Sequence, residues 1–444
     1  MKEKLTTFLD EHTQSYADIA KDIWDRPQTA LNEEYAAKRQ SEFLRSRGFR
    51  ISAVKDVPTA FVAEYGSGDP VIGILGEYDA LPDMSQKVCT ERTPIEAGGP
   101  GHACGHNLIG TAGVAAVDAI KELYDKEGFK GTIRYYGCPA EERYSGKILM
   151  QKEKVFDDLD IAIIWHPQDI TGISRKQYYS GLTMMKVEFS GETGHSVAAK
   201  NYGGSALQAA NLMVSSINAM REYIWDYHRL HYYMSDTGQT ANLLSKNTSV
   251  YCETRATDVD VLLKIKERLT EIAEGCAKIA GTDFTIEMED ELYSDKENSV
   301  IVEVLKHNLQ LLPRPEYTDG EKEFAAKLAE TLPEGAEKRV ASFYNIDKEQ
   351  IENHLHMGVV EKDDLIYLPA DDAGNVSQQV PFGTFLISLP PVGMPMHCWQ
   401  MTALAGSSIG TKCMMRAAKV MAGAVYDFLT DEKLVQEAVE EFNI

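Results

Sequence analysis

The sequence predicts an α/β protein in two parts: a larger domain with a mixed, mostly parallel sheet flanked by helices, and an inserted ferredoxin-like α+β domain. Three observations carry this expectation. Short β-rich runs alternate with a long helical stretch in the first part of the chain, as in sheets with helical crossovers. From about Leu182 the rhythm becomes strand, helix, two strands, helix, strand, the order of the split ferredoxin-like unit. After about Asp295 the earlier alternation returns. The expected boundaries are 1–182 and 296–444 for the larger domain and 183–295 for the insert. A chain of 444 residues exceeds what one compact core usually spans, which agrees with two domains.

The amino-terminal MKEKLTTFLDEHTQSYADIAKDIW mixes charged and apolar residues at helical spacing. The runs AFVAEYG (60–66), VIGILG (71–76), TIRYYG (132–137) and DIAIIW (160–165) read as buried strands. Between the second and third, NLIGTAGVAAVDAIKELYDKEG (107–128) reads as a helix closed by Gly128. In the insert, LTMMKVEFSG, TANLLSKN, TSVYCETRAT and DFTIEMEDELY read as strands, and SALQAANLMVSSINAMREYI and DVLLKIKERLTEIAEGCAKIAG as helices. SVIVEVLKHNLQ and KEFAAKLAETL are helical, FGTFLISLP is a strand, and a last helix is expected near 401–428.

Composition narrows the function classes. Apolar residues at 43% and charged residues at 25% are ordinary for a globular protein. A net charge of −23, from 45 basic and 68 acidic residues, opposes nucleic acid and anionic lipid as partners. The amino terminus lacks the pattern of a secretory signal, and no run of about 18 apolar residues occurs, so no membrane span is expected. Seven cysteines (89, 104, 138, 252, 276, 398, 413) without repeated spacing fit a reducing compartment, and cytoplasm is the expected location.

Chemistry-bearing residues gather just past the expected strand ends, where open α/β sheets build their sites. They fall in Glu77-Tyr78-Asp79, GHACGHN (101–107), Cys138-Pro139-Ala140-Glu141-Glu142, Trp165-His166-Pro167 and Met396-His397-Cys398-Trp399. Cys104 and His106 offer a thiolate and an imidazole, and Glu142, His166 and His397 would complete a site for two zinc-like or manganese-like ions. Singly, each has a plainer reading: a packed cysteine, a hydrogen-bonded histidine, an exposed acidic turn. Their concentration favours metal. Glu141 and Glu142 point in different directions along extended chain, so one can hold metal while the other faces water. His228, His231, His354 and His356 lie in polar stretches and are expected at the surface. The cysteines other than Cys104 are expected to pack or to carry no chemistry.

Read together, GEYDALP, GHACGHN, CPAEE, WHP, GETGHSVAAK and HCWQMTALAGSSIGTK resemble the dimetal aminoacylase and glutamate-carboxypeptidase family, in its amidohydrolase branch. The likeness runs from IAKDIWDRPQTALNEE to the last helix in matching order. It implies two divalent ions, Mn2+ or Zn2+, with Cys104 bridging them, His106 and Glu142 on one ion and His166 and His397 on the other. It implies Asp79 as the carboxylate behind a ligand, Glu141 as general base, and an insert serving as lid and dimerisation domain. In that domain His195 would meet the oxyanion across a homodimer, and Asn242 and Arg255 would hold a substrate carboxylate. The implied reaction is hydrolysis of small N-acyl or N-aroyl amino acids, of the p-aminobenzoyl-glutamate kind, to a carboxylic acid and a free amino acid. A metal-dependent dipeptidase is the alternative within the family; a cysteine-nucleophile hydrolase and a non-catalytic metal-binding protein are the alternatives outside it. The chain departs from the family pattern at Glu77, where aspartate is commoner, at Cys138 and Asn107, and in the proline after His166. Asp371 and Asp372 receive no role.

Overall fold

The computed structural model describes residues 2–174, 179–198, 204–224, 228–361 and 369–444. The chain divides into two compact units, Met1–Lys176 with Lys296–Leu365 and Val376–Ile444, and Gln177–Asp295 with Ile366–Asn375. Residues 369–375 thus group with the second unit although the chain has already returned to the first.

The first unit opens with α1 (Lys2–Glu11), α2 (Thr13–Trp24) and α3 (Glu34–Ser46). Leu5, Leu9, Tyr16, Ile19 and Ile23 recur at three- and four-residue intervals and are buried, which sets one face of α1 and α2 against the core. Next come β1 (Arg50–Ala53), β2 (Phe61–Ser67), β3 (Val71–Glu77), α4 (His106–Glu127), β4 (Gly131–Cys138), α5 (Gly146–Lys152), β5 (Ile161–Gln168) and β6 (Gly172–Ile173). Every residue of β3 and β5 is buried, as expected for central parallel strands covered on both faces. α4 is buried almost all round in its first four turns and stops at Gly128 in the left-handed conformation.

The second unit contains β7 (Gly181–Ser190), α6 (Ala206–Met220), β8 (Arg229–Ser235), β9 (Asn247–Ala256), α7 (Val259–Ala280) and β10 (Asp283–Leu292). Its antiparallel sheet has the order β10-β7-β9-β8. Met185, Val187 and Phe189 alternate along β7 and pack with Ala209 and Met213 of α6 and Leu269 and Ala273 of α7, so both helices cover one face. The other face carries polar and aromatic side chains, including Tyr233 stacked on Tyr251 at 4.5 Å between centroids. The βαββαβ order holds, but one strand is not where the sequence suggested. RLHYYMS forms β8, whereas TANLLSKN contributes an isolated bridge between Leu243 and His195 and, in Asn247, no more than the first residue of β9.

The chain re-enters the first unit with α8 (Ser299–Gln310), α9 (Asp319–Ala329), α10 (Ala336–Tyr344), β11 (Ile351–Glu352), β12 (Leu355–His356) and β13 (Val360–Glu361), and continues through α11 (Ala373–Ser377), β14 (Phe382–Ser388), α12 (Trp399–Ala405), α13 (Ser408–Thr430) and α14 (Glu432–Phe442). The expected single helix near 401–428 is therefore two. The first ends at Ala405 with Gly406 as its cap, and Ser407 caps the second, its hydroxyl accepting from the Gly410 N–H.

The main sheet has the order β1-β2-β4-β3-β5-β14-β6-β13. Neighbours from β4 to β14 run parallel, β1 and β2 are antiparallel additions, and β6 meets β14 antiparallel, so the sheet is mixed and mostly parallel. α4 packs on β3 and against α13, beneath the carboxyl ends of the central strands. Two of the histidines expected at the surface are buried. The ring of His356 accepts the Thr171 N–H at 3.0 Å through Nδ1, which satisfies backbone beside β6, and His228 is covered just before β8. His231 and His354 are exposed.

Candidate metal centre

The carboxyl ends of β3, β4 and β5 and the start of α4 bring the chemistry together. Glu77 is the last residue of β3 and Cys138 the last of β4, paired in register. His166 lies within β5 rather than beyond it, since the strand continues through Pro167 and Gln168. Cys104 and His106 flank Gly105, which adopts φ +86° at the start of α4, and a Cβ there would meet the Pro167 ring at 2.9 Å. Only glycine makes this turn cheaply. His397 sits before α12 with φ +58°, its N–H on the Ala103 carbonyl at 3.2 Å.

Asp79 ties two of these elements. One carboxylate oxygen accepts from His106 Nδ1 at 2.9 Å and the other from the Glu142 N–H at 3.0 Å. With Nδ1 committed to Asp79, His106 Nε2 faces into the site. The turn after β4 is held from outside: Glu33 Oε1 accepts the Ala140 N–H at 2.9 Å, with Ala140 at φ +59°, and this sets where Glu141 and Glu142 emerge.

Within the first unit three donor groups result, each with its ligand atoms within 4.8 Å of one another: Cys104, Glu142 and His397; His106, Glu141 and Glu142; and Glu77, His106 and His166. His106 and Glu142 recur, so the groups form one continuous centre. His397 Nε2 lies 3.3 Å from Glu142 Oε1, and His106 Nε2 lies 3.9 Å from that oxygen and 3.8 Å from Glu141 Oε2. His106 Nε2, Glu142 Oε1 and Glu77 Oε2 are buried and face one another across the centre. Buried polar atoms gathered this closely are costly unless positive charge, a proton or a cation, lies among them. Nitrogen, oxygen and sulfur donors in this mixture fit borderline divalent ions.

The electrostatics agree. Burial raises the Cys104 thiol, but His106 and His397 outweigh it and hold the thiol below its ordinary value. Burial opposes charge on His106, yet Cys104 and Asp79 hold its imidazole well above the usual range. Loss of solvent likewise opposes charge on His397, and hydrogen bonding to Cys104 and Glu142 pushes it up to about 11. The cavity therefore favours positive charge, supplied by protons or by metal.

His195, Asn242 and Arg255 belong to the second unit. His195 is exposed and bridges to Leu243, and the adjoining Asn242 carbonyl accepts the Ser196 N–H at 3.0 Å. Arg255 lies on β9, half-buried, with Nε on Glu253 at 2.8 Å. The last two residues of GETGHSVAAK are outside the described residues. The site residue that sequence reasoning passed over is Lys147, fully buried on α5 with its ammonium on Glu77. Nothing in GKILMQK marks it as other than a surface helical lysine. Glu77 did carry a signal, a carboxylate closing an otherwise apolar strand.

Comparison with known proteins gives the same direction. The model of peptidase family M20/M25/M40 matches residues 73–312. Over 459 aligned positions the chain is 33% identical to a component chain of the p-aminobenzoyl-glutamate hydrolase of Escherichia coli K12, covering 99% of this chain and 95% of that one. It is 24% identical to the Xaa-Arg dipeptidase of Mus musculus, covering 100% and 92% respectively. A Bacillus subtilis dinuclear metal-binding peptidase of family M20 shares the fold with a TM-score of 0.64, at 15% identity over 95% of this chain and 98% of that one. The chain belongs to peptidase family M20/M25/M40 and is a hydrolase of amide bonds.

Proposed function

We propose that the chain is a dimetal amidohydrolase that cleaves N-acyl or N-aroyl amino acids, of the p-aminobenzoyl-glutamate kind, to a carboxylic acid and a free amino acid. The observation that carries this is the continuous donor centre beside a spare carboxylate: Cys104, His106, Glu142, His166 and His397 suffice for two ions, and Glu141 remains for proton transfer. A structural metal site needs about four closed ligands and no spare acid. Cys104 would bridge, its thiol already biased toward thiolate. Asp79 would hold His106 in the tautomer that presents Nε2.

When bound, a pair of Mn2+ or Zn2+ ions would lower the pKa of a water and polarise the scissile carbonyl. The water oxygen attacks the carbonyl carbon while Glu141 takes a water proton. The C–N bond then breaks and Glu141 passes that proton to the departing amine nitrogen. His195, in a homodimer formed through the insert, would donate to the oxyanion of the neighbouring copy, and Asn242 and Arg255 would hold the substrate carboxylate; GETGHS and the strand arginine support these roles by resemblance. Complementation checks the trans role: mixed dimers of His195→Ala and Cys104→Ala chains should regain part of the activity that each lacks. None of the seven cysteines is in a disulfide, which supports a reducing, cytoplasmic setting; no helix among the described residues is long and apolar enough to cross a membrane.

A dipeptidase reading is favoured by one finding, the full-length likeness to the Xaa-Arg dipeptidase. A hydrolysis panel of p-aminobenzoyl-glutamate, N-acetyl amino acids and Xaa-Arg dipeptides, with Mn2+ or Zn2+ present, separates the two. The proposal expects turnover of aroyl or acyl amino acids to exceed that of the dipeptides, and the reverse order would replace it.

A further inference from the structure

We propose that Glu77 is an additional ligand of the centre, completing with His106 and His166 a donor set for one ion, in place of the pairing of His106 with Glu142 and of His166 with His397 that the resemblance implies, and that the buried Lys147 holds it in that pose. This rests on the reading that Cys104, His106, Glu142, His166 and His397 bind two ions.

Glu77 is fully buried at the end of β3 and its two oxygens are used differently. One accepts from the ammonium of Lys147, which is itself without exposure. The other, Oε2, lies 3.3 Å from His106 Nε2 and 3.2 Å from His166 Nε2. Around an ion with nitrogen and oxygen ligands at ~2.1 Å, donors separated by octahedral to tetrahedral angles stand ~3.0–3.4 Å apart. Both observed separations fall inside that interval. His106 Nδ1 is committed to Asp79, so Nε2 is the ring atom turned toward Glu77 Oε2, and a carboxylate oxygen facing two imidazole nitrogens at this distance calls for positive charge among them, which a bound ion supplies. The lysine explains why the arrangement survives burial. It neutralises the carboxylate as a whole yet occupies only one oxygen, leaving the second aimed at the imidazoles. A carboxylate serving merely as the partner of Lys147 would have no need to face two histidines.

The test is a Co2+ titration of the full-length chain followed by absorption spectroscopy, with elemental analysis for stoichiometry. In the wild type, a thiolate-to-cobalt charge-transfer band reports Cys104 on the metal. The variant E77Q/K147M removes the buried pair together, so that no lone charge is left in the core, and E77Q alone serves where the double variant does not fold. The expected result is retention of the Cys104 band with one of the two ions weakened by more than the ~10–100-fold typical of losing a residue that only orients a ligand. The inference is overturned if a folded variant binds both ions as the wild type does, or loses less than that range. Absence of cobalt binding or of the thiolate band in the wild type would instead remove the dimetal reading itself, so the two failures are distinct.

Discussion

At the residue scale, the centre separates groups that hold position from the one expected to move a proton. Glu141 lies 3.8 Å from His106 Nε2 and is largely but not wholly covered, near enough to reach a water at the donors. Glu141→Ala should keep metal content close to wild type, measured by elemental analysis, while turnover falls ~10²–10⁴-fold, the usual contribution of a positioned acid or base. Glu33 gives a different prediction. Burial, reinforced by Asp79, raises its carboxyl from 4.5 to about 7. Between those values the folded protein keeps a proton that the unfolded chain has released, so this group's contribution to stability is complete below pH 4.5 and is lost as pH rises through 7. Glu33→Gln keeps an oxygen for the Leu31 and Ala140 N–H groups. Its Tm should exceed that of the wild type at pH 8, and the difference should close near pH 4.5 in a thermal-unfolding series. A difference that does not vary with pH would contradict the assignment.

At the scale of elements, the placement of α4 on β3 determines whether His106 reaches the centre. Gly110, one turn into α4, has no room for a side chain: a Cβ would stand 2.5 Å from the Glu77 carbonyl oxygen and 2.6 Å from Gln40 Nε2. Gly110→Ala should therefore push the helix from the strand, lowering stability by ~1–3 kcal/mol in denaturant unfolding and weakening metal binding, although alanine favours helix. Gly275 in α7 has nothing within 4 Å of its would-be Cβ. There alanine should stabilise by ~0.5–1 kcal/mol through propensity alone. The elements readable from sequence are those with a sustained apolar period or run: β2 to β5, β7, β9, β10 and β14 among strands, and α4 and α6 to α9 among helices. β8 escapes such a reading because RLHYYMS mixes exposed aromatic and basic residues, while the adjacent leucines of TANLLSKN suggest a strand yet are not buried. The break between α12 and α13 hides in a sequence whose apolar pattern continues across it. The two-residue strands β6, β11, β12 and β13 are too short for any periodicity to show.

Over the whole molecule, the site is more legible in the sequence than its supports. Cys104, His106, Glu142, His166 and His397 stand out as rare residue types at strand ends and helix starts, and the structure brings them together. Glu33 and Lys147 act through burial, which only the fold supplies. A protein whose buried centre favours positive charge should also gain stability from metal, because an ion that binds only the folded state stabilises it by about 2.7 kcal/mol at a hundred times its Kd. Metal-loaded chain should therefore melt above the chelated form in scanning calorimetry. The most direct test is hydrolysis of p-aminobenzoyl-glutamate by chain stripped with chelator, then titrated with Mn2+ or Zn2+ while bound metal is counted. A dimetal amidohydrolase should show negligible turnover after stripping and full recovery as the count approaches two ions per chain; turnover that persists in the metal-free chain would contradict it and point to Cys104 as a nucleophile.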